Sequence, residues 1–350
     1  MRRSGVINKI IGFTLIILSF IGGWAWMDYQ NALNLPVVTG KQVYIEIDKG
    51  DSLTQITDKL VEQNLTIKPF WFKVIAFQEK VAKKLKTGEY ELTPGLTIPE
   101  ILALFEQGKT RQYAITFLEG WSFNEIVQEV ERNPYLEHTF SFNYPLESDS
   151  PSKTVDFQDV MSRLGGADTI SPEGLFFPDT YFFEKHMSDV SLLKRSYDKM
   201  QLVLQQEWLN KAENLPFKTP YEALILASII EKETATVAER PLIAGVFIRR
   251  LENDILLQTD PTVIYGMGEN YRGDIRFKDI KTATPYNTYV IKGLPPTPIA
   301  MPGRDAIYAA LHPDKSKSLY FVARGDGTHV FSSTLKDHNQ AVDIYQRKKK

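Results

Sequence analysis

Apolar and polar positions recur along this chain in a few distinct registers, each predicting an element. The first is an uncharged, mostly apolar run from Ile10 to Met27, preceded by Arg2, Arg3 and Lys9 and closed by the first acid, Asp28. A run of that length suffices to cross a bilayer as one helix. The basic flank sets the N-terminus on the cytoplasmic side and the rest of the chain outside. After the run, Gly-Gly-Trp-Ala-Trp-Met lacks a small-x-small cleavage pattern, and Trp24, Trp26 and Tyr29 suit a membrane–water interface. The segment therefore reads as an uncleaved signal anchor.

Past a predicted linker at 28–42, Val43-Tyr-Ile-Glu-Ile47 alternates as a strand does. Ser52-Leu-Thr-Gln55 is a capping box that opens a helix with Ile56, Leu60 and Val61 inward. A second helix from about Pro69 to Lys80 and a short strand Gly88–Leu92 complete a β-α-α-β unit. Further along, the pattern predicts a helix from Thr97 to Glu106, a strand Tyr113–Phe117 and a helix from Ser122 to Arg132. Between Tyr144 and Gly166 the chain turns polar and rich in Ser and Asp, a surface excursion. A long amphipathic helix, about Val190 to Asn210, leads into Thr219-Pro-Tyr-Glu-Ala-Leu-Ile-Leu-Ala-Ser-Ile-Ile-Glu-Lys-Glu-Thr234. There Thr219, Pro220 and Glu222 mark a helix start. Ala223 to Ile230 is apolar except for Ser228, so this helix expects burial on nearly every side. Another helix reaches Leu251, a loop-rich stretch follows, and Leu319–Ala323 and His329–Ser332 flank an Asp326-Gly327 turn as a hairpin.

Composition narrows the function more by exclusion than by indication. The formal net charge of -2 argues against a nucleic-acid binder. The absence of cysteine excludes thiol nucleophiles, Cys-zinc sites and disulfides. The five histidines, at 138, 186, 312, 329 and 338, show no metal-ligand spacing, so neither a metal nor a cofactor is expected. Gly266-Met-Gly268 and Gly325-Asp-Gly327 read as turns rather than nucleotide loops, and Ser228 has no nucleophile-elbow setting.

What remains is the pair of carboxylates at the end of the apolar helix, costly there unless paired or used. Glu231 and Glu233 are two residues apart and point roughly 160° away from each other, so at most one faces a given cleft. Geometry alone does not choose between them, and both read equally as helix-end charges paired with Lys232 or Arg240. Gln258-Thr-Asp-Pro-Thr262 has a turn-like ring of donors and acceptors, or simply starts a helix at Asp260. Tyr286-Asn-Thr-Tyr289 has the aromatic and amide content of a sugar groove, and equally that of ordinary loop packing.

Together with the anchor and the β-α-α-β unit, four segments make the sequence resemble the MltG (YceG-like) endolytic murein transglycosylase family. They are Glu173-Gly-Leu-Phe-Phe-Pro-Asp-Thr-Tyr181, Ala227–Ala235, Leu257–Gly268, and Tyr286–Tyr289 with Gly293-Leu-Pro-Pro296. The resemblance implies an α+β fold: a transmembrane helix, a small LysM-like β-α-α-β subdomain, and a larger catalytic domain whose buried helix carries the catalytic Glu. Its domain map is a cytoplasmic N-terminus (1–9), an anchor (10–27), a linker (28–42), the LysM-like subdomain with its following helix (43–112), a connecting α+β region (113–215) and the catalytic domain (216–345).

The implied reaction cuts the MurNAc-β-1,4-GlcNAc bond of peptidoglycan strands without water, leaving 1,6-anhydro ends. Glu233 would be general acid and then base, which requires a carboxyl protonated near neutrality in an apolar setting. Expected substrate contacts are Gln258, Thr259, Asp260, Tyr265, Asn287 and Tyr289, with Glu231, Glu173, Asp179 and Glu239 in support. The implied partners are glycan strands, the membrane and peptidoglycan synthases, with the protein on the bacterial inner membrane and its catalytic domain periplasmic. Two alternatives stand beside this reading: a lysozyme-like muramidase using Asp260 or Glu173 to position water, and a non-catalytic peptidoglycan-binding scaffold.

Overall fold

The computed structural model describes residues 2–140, 157–166 and 171–347. The chain divides into two compact units, Met1–Tyr113 and Ala114–Lys350.

In the first unit, α1 (Arg2–Asn34) is followed by β1 (Val43–Ile47), α2 (Leu53–Glu62), α3 (Pro69–Gln78), β2 (Gly88–Leu92) and α4 (Ile98–Gln107). The Ser52–Gln55 capping box forms as the sequence predicts, and Thr97 and Glu100 make a second one at the start of α4. β1 and β2 pair antiparallel with Val43 opposite Leu92 and Ile47 opposite Gly88. Alternation then turns Ile45, Ile47, Tyr90 and Leu92 inward, onto Leu60, Phe72, Ile75, Ile101 and Phe105. The β-α-α-β order is therefore present. Residues 28–42, expected as a linker, are helical through Asn34, and Val37 and Val38 are buried in this core with Tyr29, Ala32 and Leu33 packed on it. These apolar side chains fasten the end of α1 to the unit.

The second unit begins within β3 (Gln112–Thr116), which pairs with β4 (Thr180–Glu184). Its helices are α5 (Phe123–Arg132), α6 (Phe157–Leu164), α7 (Asp189–Leu209), α8 (Pro220–Glu233), α9 (Arg240–Glu252), α10 (Asp260–Met267), α11 (Phe277–Lys281), α12 (Arg304–Leu311) and α13 (Leu335–Val342). A hairpin, β5 (Tyr320–Ala323) and β6 (His329–Ser332), pairs antiparallel with Tyr320 opposite Ser332. Of the polar excursion predicted at 144–166, residues 144–156 lie outside the described residues, and the rest includes α6.

Helix α8 is the axis of this unit. Every residue from Ala223 to Ile230 is buried, and α7, α9, α10 and α12 pack around it. Its start differs from the predicted capping box in one half. The Thr219 hydroxyl accepts the Glu222 N–H, but the Glu222 carboxylate accepts from the Lys218 N–H instead of reaching back to Thr219. The lone polar residue between Ala223 and Ile230, Ser228, donates to the Ile225 carbonyl at 2.7 Å and accepts the Ile299 N–H at 3.0 Å. That bond ties the Pro-rich segment after Gly293 to the helix, so a buried hydroxyl is satisfied and a loop is fixed by the same atom.

Candidate active site

The end of α8 opens onto a groove of about 390 Å³. Glu233, Arg250, Leu257, Gln258, Asp260, Tyr289, Phe321, Val322, His329 and His338 are among its lining residues. The two glutamates that geometry could not rank part company here. Glu231 turns into the protein, where its carboxylate accepts from Arg240 at 2.7 Å and from the Gly303 N–H at 2.9 Å. Both side chains of that pair are 5% exposed. Glu231 thus neutralises a buried guanidinium and fixes the start of α12. Glu233, on the other side of the helix, has no ion pair among the described residues and lines the groove.

The surroundings of Glu233 set its protonation. Burial is the largest influence and pushes its carboxyl up, the nearby Asp260 charge adds to that, and the Thr259 hydroxyl bond and His329 pull the other way. The balance lies at about 7. The negative end of the α8 dipole disfavours the carboxylate in the same sense as burial. Thr259, itself 2% exposed, donates its hydroxyl to Glu233 and is held by its own N–H bonding the Thr288 hydroxyl at 3.1 Å.

The Gln258–Thr262 stretch does both things its sequence allows. It starts α10 at Asp260, and it presents side chains to the groove. Gln258 adopts φ 53°, which lets its chain turn sharply above Arg250. The Arg250 guanidinium is spent on holding this wall: it donates to the carbonyls of Leu256, Leu257 and Leu319 and to the Gln258 amide oxygen. Across the groove, the Tyr289 hydroxyl donates to Asp260 at 2.7 Å.

The other predicted site residues fall elsewhere. The Asn287 amide donates to the carbonyls of Asp279, Ile280 and Thr282 and is 1% exposed, so it organises the loop after α11. Asp179 accepts from Lys199 at the start of β4. Glu173 and Tyr265 form a cluster of their own. The Glu173 carboxylate takes the Phe123 N–H at 2.9 Å and the Tyr265 hydroxyl at 3.2 Å, and Tyr265 meets Tyr286 edge-on. Burial, as the main cause, raises the Glu173 carboxyl to about 7. Neither residue lines the groove.

Glu239 acts at one remove. Its carboxylate accepts the His329 N–H at 2.9 Å and bonds Nδ1 of the same residue at 2.7 Å. His329 is thereby held in the groove wall with Nδ1 occupied and without a protein partner for Nε2 among the described residues. His329, His338 and Arg250 were missed by sequence reasoning. His329 opens β6 just past the Asp326-Gly327 turn, and its only linear signal was being one of five histidines.

A glutamic acid held near its protonation midpoint at neutral pH, at the end of a rigid buried helix and open to a polar groove, is the equipment of a general-acid enzyme. Comparison with known proteins makes the class specific. The chain belongs to the YceG-like family, whose model matches residues 45–344. A Bacillus subtilis protein named endolytic murein transglycosylase is 31% identical over 314 residues, covering 87% of this chain and 84% of that one. A Streptococcus pneumoniae protein of the same name is 27% identical over 358 residues, with 95% of this chain and 64% of that longer protein covered. The crystal structure of a YceG-like protein from Listeria monocytogenes aligns with a TM-score of 0.54 at 28% identity, covering 86% of this chain and 98% of that one.

Proposed function

We propose that this protein is an endolytic murein transglycosylase, anchored in the cytoplasmic membrane by α1, that cuts peptidoglycan strands between N-acetylmuramic acid and N-acetylglucosamine. The observation that carries the reading is Glu233: a groove-facing carboxyl without an ion pair among the described residues, raised to about 7 mainly by burial, in a member of the YceG-like family. In this reading protonated Glu233 donates to the glycosidic oxygen while positive charge develops at C1 of the muramic residue. The carboxylate left behind takes the proton of the C6 hydroxyl as O6 bonds to C1. The 1,6-anhydro ring closes, the leaving chain departs with Glu233's first proton, and Glu233 ends protonated as it began. One carboxyl thus serves both steps, and no water enters.

In the same proposal Thr259 positions the Glu233 carboxyl, and Gln258, Asp260 and Tyr289 meet the sugar. His329, braced by Glu239, is a further polar contact in the groove wall. The β-α-α-β unit is a LysM-like glycan-facing module, and synthases at the same membrane face are the natural partners of an enzyme that cuts nascent strands. Helix α1 is long and apolar enough to span a bilayer, which supports an anchor. Arg2, Arg3 and Lys9, ahead of its apolar run, support an extracytoplasmic catalytic unit.

A second reading, hydrolysis, has one observation in its favour: Asp260 lines the groove close enough to Glu233 for its charge to be felt there. Two carboxyl groups flanking a bond are the equipment of glycosidases that use water. One experiment separates the readings. Purified glycan strands are digested with the wild-type protein and with Glu233→Gln, and product masses are recorded. Anhydro ends that vanish in the variant support the proposal. Reducing ends establish a muramidase, and products unaffected by the substitution remove Glu233 from the reaction.

A further inference from the structure

Helix α3 presents two phenylalanines to solvent, and the structure of the first unit explains why. Phe70 and Phe77 are each 66% exposed, seven residues apart and so on one face. At about 100° per residue, Phe72, Ile75 and Ala76 lie on the opposite face, where they are fully buried in the core. Lys73 and Val74 complete the outward face. Two large aromatic side chains exposed on one face of a helix whose opposite face is buried form an apolar patch, the kind of surface that meets a partner or a membrane.

The geometry of α1 and α3 says where that surface points. α1 runs unbroken from Arg2 to Asn34, so its apolar part and its core-packed end form one rod. α3 meets this rod at Asp28 and Tyr29. At its start, Asp28 accepts from Lys68 and, at 2.7 Å, from the Trp71 indole. The Trp71 ring lies 5.3 Å from that of Tyr29, and two turns later the Tyr29 hydroxyl donates to Gln78 at 2.5 Å. Both ends of α3 therefore meet adjacent residues of α1, just past the apolar run. The core of the unit packs on Tyr29, Ala32 and Leu33 and continues through Val37 and Val38, all beyond the apolar run. The Phe70 ring lies 4.9 Å from that of Trp71, and the Trp26 ring lies 6.0 Å from that of Tyr29, so a series of neighbouring aromatic rings runs from the end of the apolar run onto α3.

We infer that α3 is an interfacial helix lying on the lipid surface, with Phe70 and Phe77 inserted at the level of the headgroups and acyl-chain ends beside the point where α1 leaves the bilayer. This rests on the reading of α1 as a membrane anchor. The chemistry suits the occupant: aromatic rings at the level of Trp26 and Tyr29 continue the aromatic belt of the anchor. Lys73 between them lays its methylene stem along the apolar face while its ammonium reaches the phosphates. The short helix gains its hold from being fused to the anchor, which removes most of the entropic cost of meeting the surface. Its consequence is mechanical: the first unit is held flat on the membrane at a fixed orientation, rather than tethered by a swivel.

The chain has no cysteine, so a single introduced one is a unique labelling site. Full-length protein carrying a nitroxide at Phe70→Cys, Phe77→Cys, Ile16→Cys or Glu62→Cys is reconstituted into vesicles of phosphatidylcholine and phosphatidylglycerol. Collision rates with oxygen, which concentrates in lipid, and with a water-soluble nickel chelate are then compared. Ile16 reports on the anchor, and exposed Glu62 on α2 supplies the aqueous reference. The expected result is an oxygen-to-nickel ratio at residues 70 and 77 several-fold above that at residue 62, approaching that at residue 16. A lipid-like ratio at residue 16 with residues 70 and 77 matching residue 62 overturns the interfacial helix and leaves the anchor standing. An aqueous ratio at residue 16 overturns the anchor reading and this inference with it.

Discussion

Thr259 offers a direct test of how the groove sets the protonation of Glu233. Its hydroxyl donates to the Glu233 carboxyl and favours the charged form, working against the burial that raises the group to about 7. Thr259→Val keeps the shape of the side chain and removes the donor. A hydrogen bond to a charged group is worth about 1.5–3 kcal/mol. One pKa unit corresponds to about 1.4 kcal/mol, so complete loss would raise Glu233 by about 1–2 units. Because the groove admits water that partly replaces the lost donor, the lower end applies, about one unit. The sign follows from the role: if the acid must be protonated to act, a higher pKa extends activity to higher pH. The assay is the pH profile of kcat/KM on purified glycan strands, whose alkaline limb reports the acid in the free enzyme. The limb should move from near 7 to about 8. At pH 8 the variant should then retain about five times more of its own low-pH activity than the wild type does. An alkaline limb that stays in place, or moves down, would refute the assignment of Glu233 as the acid.

Three further substitutions have outcomes that can be read from the structure. Glu233→Gln should lower turnover by about 10²–10⁴-fold, the range of a positioned general acid. It should also stabilise the fold above neutral pH. The folded carboxyl sits at about 7 against an ordinary 4.5, so its contribution is fully present below 4.5 and lost as pH rises through 7. A neutral amide escapes that loss, worth about 1–3 kcal/mol in urea denaturation at pH 8, with no difference expected at pH 4. Glu231→Gln should destabilise instead, costing about 3 kcal/mol by leaving the buried Arg240 with only the more distant, half-exposed Glu119 carboxylate at 3.6 Å, while turnover per folded molecule stays near wild type. Gly174→Ala should destabilise by at least about 2 kcal/mol, because φ is 78° there and a Cβ would stand 2.5 Å from that of Pro298; thermal denaturation reads it directly.

Much of the local architecture was legible in the linear pattern. The capping box at Ser52, the helix starts at Thr97 and Ser122, the strand alternation of Val43–Ile47 and the apolar wrap of α8 are all short-range signals, and each element formed within a residue or two of its expected place. Residues 28–42 read less clearly, because a segment with a few scattered apolar side chains looks like a linker until a core exists for Tyr29, Leu33, Val37 and Val38 to enter.

The sequence by itself determined that the two glutamates at the end of α8 must point apart, since helical geometry admits nothing else. It also determined that the helix carrying them would be buried, since it has no polar face. Which glutamate meets the groove was a tertiary decision. Arg240 lies nine residues from Glu231 and Gly303 seventy-two, and their arrival on one side of α8 consumes that carboxylate. On the other side, Thr259, Asp260 and His329 converge on Glu233 from α10 and the terminal hairpin. The physical reason is that a charge's meaning depends on its neighbours within a few ångströms, and those neighbours are assembled only by packing.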